Sequence, residues 1–117
     1  MRNTKIITGN AYLADQKKQN FFSKEELNLI LSLYGKGVSS GKWKDYAIDA
    51  LKDQAIFSIY RKTNEIPIFT IYKIPKTNIS QGIYQIKSSD GRIIKRGNDL
   101  KLLIRILDNK KSIYKIN

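Results

Sequence analysis

IFSIYRKTNEIPIFTIYKI, residues 56–74, decides the fold. Its first and last seven residues, IFSIYRK and IFTIYKI, echo each other at a 12-residue offset. Both are rich in β-branched and aromatic residues, the side chains that suit a pleated, half-buried surface. Between them Thr63-Asn64-Glu65 is turn material, and Pro75 ends the second segment. Two copies are too few for a solenoid, so the reading is a hairpin of two similar strands.

Working outward toward the C-terminus, residues 82–88 read as a third strand. Ser89-Asp90-Gly91 supplies an Asp-Gly hairpin signal, and residues 92–96 return as a fourth strand. Asn98 or Asp99 then caps a helix whose stripe is Leu100, Leu103, Ile104 and Leu107. Asn109-Lys110-Lys111 closes that helix, and residues 112–116 are expected to add a short strand.

Toward the N-terminus, Phe22-Ser23 followed by Glu26 and Leu27 combines a capping box with a hydrophobic staple. The stripe Leu27, Ile30, Leu31, Tyr34 and Val38 has helical spacing. Gly35 and Gly37 each cost about 1 kcal/mol in a helix interior, so fraying after Tyr34 competes with a stop at Gly41. Residues 43–51 fit a strand or a helix, and the strand is preferred. Trp43 is expected in the core against Leu31 and Tyr34. The fold expected is thus α+β: an antiparallel β-meander of four to five strands, with an N-terminal and a C-terminal helix on one face. Residues 1–20 are expected to form a flexible arm and 21–117 a single domain.

These pieces form a wider pattern: Leu33-Tyr34-Gly35, Val38, Gly41, Trp43 and Asp45-Tyr46-Ala47-Ile48-Asp49. It continues with Asp53, Ala55, Phe57-Ser58, Arg61, Gln81-Gly82, Tyr84, Ile94-Lys95-Arg96-Gly97 and Asp99-Leu100. The pattern resembles a family of short alphaproteobacterial proteins classed as a domain of unknown function, over about residues 21–107. The resemblance implies no activity, because none is assigned to that family.

Composition limits the chemistry. The 117 residues contain neither histidine nor cysteine. The commonest general acid–base, the commonest metal ligand and any thiolate are therefore missing. Asp45, Asp49 and Asp53 recur every fourth residue, but no base, nucleophile or metal set accompanies them. Turn capping and ion pairing explain them better. Ser39-Ser40 and Ser88-Ser89 stand at helix-end or turn positions without a neighbouring base. Neither an enzyme nor a cofactor is expected. With no apolar leader and no long apolar run, the expected location is the cytoplasm, away from membranes.

The 22 Lys and Arg against 10 Asp and Glu give a net charge of +12. Codon drift in an AT-rich genome would raise this charge with no function attached: Ile, Lys and Asn, all with AT-rich codons, make up 45 residues. The distribution is less bland. Residues 92–117 carry eight cations against two aspartates, half of the excess. A basic strand leading through Gly97 into a helix N-terminus suits an anion. Tyr60 and Tyr72 interleaved with Lys62, Lys87 and Lys95 on an open sheet face suit base stacking with phosphate contact. The expected nucleic-acid or anion site is Arg92, Lys95, Arg96, Lys101, Arg105, Tyr60, Tyr72 and Lys87, and the partner RNA or single-stranded DNA. The alternative is a protein-interaction module, possibly a homodimer, with no nucleic-acid ligand.

Overall fold

The computed structural model describes residues 20–63, 65–76 and 81–108. The expected arm, apart from Asn20, and the expected last strand lie outside them. In chain order the elements are α1 (Lys24–Ser39), β1 (Asp45–Ala50), β2 (Ala55–Tyr60), β3 (Phe69–Lys73), β4 (Tyr84–Ser88), β5 (Ile93–Gly97) and α2 (Leu100–Asp108). The five strands form one antiparallel sheet in sequence order, so the meander and α+β class hold. None of the described helices is long and apolar enough to cross a membrane.

The α1 start is the capping box read from sequence. Glu26 N–H donates to Ser23 Oγ at 3.1 Å, and Ser23 N–H to Glu26 Oε1 at 2.6 Å. The helix does not fray at its glycines. It runs to Ser39 and ends in a Schellman turn, with Lys42 N–H donating to Gly37 O and Gly41 N–H to Val38 O. Gly41 supplies the positive φ, +78°, that this turn requires.

Gly37 has a packing reason for interrupting the helix. A Cβ there would fall 2.1 Å from the Trp43 ring, which lies over the helix at that point. Trp43 is buried and also meets Tyr34 and Phe69, at ring separations of 6.4 and 6.2 Å. Its expected partner Leu31 is instead half exposed. The indole N–H is buried without a hydrogen-bond partner among the described residues.

Cross-strand register sorts the two faces. Ile59 opposite Phe69, and Phe57 opposite Ile71 opposite Ile86, form the buried rows under the helices. Ile30 and Leu33 of α1, with Leu100, Leu103 and Leu107 of α2, close the core from above. Fully burying each such side chain contributes about 1.5–3 kcal/mol. Residues 43–51 hold the preferred strand: Tyr46 and Ile48 face the helix side opposite Ile59 and Phe57.

The turns follow their residues. Leu51 N–H donates to Gln54 O, leaving Lys52-Asp53 as a two-residue β1–β2 loop. The β4–β5 loop has three residues, Ser89-Asp90-Gly91, with Ser88 N–H bonded to Arg92 O and Gly91 at φ +84°.

The two α1 glycines should respond oppositely to the same change. Gly35→Ala meets nothing within 4 Å and should stabilise by about 1 kcal/mol through helix propensity. Gly37→Ala should destabilise despite the same propensity gain, because its Cβ collides with the indole. Urea denaturation of both variants checks the sign, and stabilisation by Gly37→Ala would refute the contact.

Candidate nucleic-acid interface

The eight expected site residues fall into three groups. Tyr60, Tyr72, Lys87 and Arg96 share the open face away from the helices. Register places Tyr60 opposite Asp45, Tyr72 opposite Gln85, Gln85 opposite Arg96, and Lys87 opposite Thr70. Lys87 Nζ lies 4.6 Å from the Tyr72 ring centre, a cation–π contact within that face.

Lys95 does not join them, contrary to the simple alternation. A register shift near Ile86/Lys87 inserts Ile94, which packs against the core, and sets Lys95 opposite Ile86 on the helix-bearing side. Lys101 and Arg105 lie exposed on α2, four residues apart and thus on one stripe of the helix. Arg92 sits at the hairpin tip, bound to Asp90 with Nη2 3.2 Å from Oδ2. The Ser88 hydroxyl, followed by the Arg92 backbone N–H, holds the Asp90 carboxyl at about 2. Arg92 is thereby partly neutralised, whereas Lys95, Arg96, Lys101 and Arg105 form no ion pair with another described residue.

The start of α2 differs from the expected anion cradle. Asp99, not Asn98, is the cap: its Oδ1 accepts from Lys101 N–H at 3.0 Å. The chain's own carboxylate occupies the place an external anion would take. Asn98 Oδ1 accepts instead from Ile83 N–H at 3.0 Å. Gly97 serves packing as well. A Cβ on Gly82 would lie 2.5 Å from Gly97 N, and one on Gly97 would lie 3.1 Å from Leu103 Cδ1. The glycines of the Gln81-Gly82 and Arg96-Gly97 steps therefore let two chain segments and α2 meet.

The aspartates stay apart in role. Asp45 and Asp49 point to the open face from β1, and Asp53 belongs to the β1–β2 loop. No cluster of three acidic residues suited to a metal ion occurs among the described residues. A shallow depression bounded by Asp45, Tyr60 and Glu65 is acidic and suits phosphate poorly.

A polar cluster escaped sequence reading. Lys73 extends the core-facing series Phe69, Ile71, yet it is a cation. Its Nζ donates to Glu26 Oε1 at 2.9 Å and to Phe21 O at 2.8 Å, with both side chains of the pair almost fully covered. Tyr84, directly opposite Lys73 in the sheet, donates its hydroxyl to Glu26 Oε2. The signal was present: a lysine two residues beyond two core positions needs a buried carboxylate. Which carboxylate was not legible.

Burial alone pushes the Glu26 carboxyl upward. The hydrogen bonds from Tyr84, Lys73 and Ser23, with the Lys73 charge, outweigh it and hold the group below its ordinary value. Burial, then the bond to Glu26, pushes the Tyr84 phenol well above the usual range. The cluster ties the head of α1 to β3 and β4, and every member has a structural partner.

The signs set the pH response. A depressed carboxyl contributes stability above its unfolded value of 4.5, lost as pH falls through its folded value. A raised phenol contributes below its unfolded value of 10.0, lost as pH rises beyond it. Glu26→Ala, which strips Lys73, Tyr84 and Ser23 at once, should cost about 3–5 kcal/mol at neutral pH. Glu26→Gln should flatten the fall in stability below pH 4.5. Urea titrations across pH check both, and an unchanged acid limb in Glu26→Gln would exclude this carboxyl as its source.

No curated protein and no solved structure matches the chain. One family does, described as a protein of unknown function (DUF2794), and its match runs over residues 20–104, from the head of α1 into α2. The meander and α1 lie within that span, which ends midway through α2 and just before Arg105, and the chain belongs to this family.

Proposed function

We propose that this protein is a non-enzymatic domain that binds the phosphate backbone of RNA or single-stranded DNA along the flank formed by β5 and α2. The supporting observation is the set of exposed Lys95, Lys101 and Arg105 on the helix-bearing side of that flank, none ion-paired to a described residue. Arg96 continues the positive charge around the β5 edge. Polyanion binding needs such a run of free cations more than it needs a shaped pocket.

The helix N-terminus takes no part in this reading, because Asp99 already fills it. Nor does the whole open face, whose β1 end carries Asp45 and Asp49. Contacts confined to phosphate position a strand without reading its bases, so weak sequence preference follows.

Titration of labelled single-stranded and duplex oligonucleotides by fluorescence anisotropy tests the reading. Affinity should fall steeply with salt, with a log–log slope of about −0.7 to −0.9 per phosphate neutralised. Lys101→Glu combined with Arg105→Glu should weaken binding about tenfold or more on all sequences alike. Absence of binding at low salt, or a double variant that binds like wild type, overturns it.

A further inference from the structure

The open face is electrically polarised across its width. Cross-strand register places Asp49, Ile56, Tyr72, Gln85 and Arg96 in one row running from β1 to β5. The acidic end lies on one edge strand and the basic end on the other. Asp45 strengthens the first and Lys87 the second. Four strand spacings, about 19 Å, separate Asp49 from Arg96, so the two cannot pair within one chain.

We propose that this face packs against the same face of a second copy, about a two-fold axis parallel to the strands and running along β3. The charges choose the axis. A two-fold parallel to the strands lays β1 of one copy over β5 of the other while preserving position along the strands. Asp49 of each copy then meets Arg96 of the other. A two-fold perpendicular to the strands, in the sheet plane, would lay aspartate over aspartate and arginine over arginine.

The rest of the face agrees. Apart from the Lys87 ammonium over the Tyr72 ring, its middle is uncharged, with Ser58 and Thr70 beside Tyr72 and Ile56. Sheets pack face to face about 10 Å apart, a gap that an extended arginine and an aspartate bridge. Edge pairing of β1 with another β1 is disfavoured, because antiparallel alignment brings the Asp45 and Asp49 carboxylates together. This interface lies on the opposite side of the sheet from Lys101 and Arg105, so it withdraws only Arg96 from the proposed phosphate contact and leaves the rest of it in place.

Sedimentation of the full chain at low salt, without nucleic acid, tests the idea. Wild type should sediment as a dimer of the 13.5 kDa chain, weakening as salt rises. Asp49→Arg and Arg96→Asp, both at exposed positions, should each weaken self-association about tenfold or more, since each sets like charges face to face. Mixed in equal amounts, the two variants should recover the dimer, because every cation again meets an anion. That recovery also shows that neither variant had misfolded. The chain has no cysteine, so Thr70→Cys adds a unique thiol beside the axis, and a short bismaleimide should join two copies through it. A monomeric wild type at low salt, or a dimer indifferent to both reversals, overturns the proposal; so does a separate run with added oligonucleotide that finds it seated on the open face of a monomer. Since the first runs hold no nucleic acid, their failure leaves the phosphate reading standing or falling on its own titration.

Discussion

The contact between Trp43 and the notch at Gly37 carries the architecture. The chain leaves α1, reverses through the Schellman turn and enters β1 within a few residues. The indole then folds back over the helix it has just left. This brings Tyr34 against Phe57 and Tyr46, so α1 and the first two strands share one aromatic cluster. Without the notch the helix would be pushed from the sheet by the thickness of a ring. The indole N–H, without a partner among the described residues, is a cost of about 1–3 kcal/mol that this packing overcomes.

At the other end of α1 the tie is polar. Glu26 caps its own helix and at the same time receives Lys73 and Tyr84 from two neighbouring strands. One carboxylate thus joins local and long-range order. The direction of α1 over the sheet is set between an apolar clasp at its tail and an ionic one at its head. The Lys36–Asp108 pair, 3.1 Å apart and exposed, links the ends of the two helices and adds little.

The surface splits by chemistry once the core is in place. Core rows force the remaining residues of each strand outward, which makes the open face a consequence of register rather than of its own composition. The bulge at Ile94 moves Lys95 to the helix side, and the Asp99 cap closes the end of α2. One apparent basic motif, Lys95-Arg96-Gly97-Asn98, therefore serves four separate ends. Lys95 and Arg96 go to opposite faces, Gly97 to close packing, and Asn98 to the backbone of Ile83.

Local and periodic information was legible in the sequence alone. The capping box, the turn glycines, the echoed strands and the α2 stripe each depend on residues within a few positions of one another. Hairpin links between them lead directly to an antiparallel meander. The choice of strand for residues 43–51 was legible only as a preference, since Tyr46, Ile48 and Ala50 would share a strand face while Trp43, Ala47 and Leu51 would share a helix face. Tertiary structure alone decided three things. Gly37 is a notch because a ring six residues later lies on it. Lys73 is buried because Glu26, 47 positions earlier, lies within reach. The basic residues divide between faces because one inserted residue shifts the register of β5. The last two depend on distances between residues far apart in sequence or on opposite strands, and the first on a chain reversal that carries Trp43 back over Gly37; no local pattern records such distances.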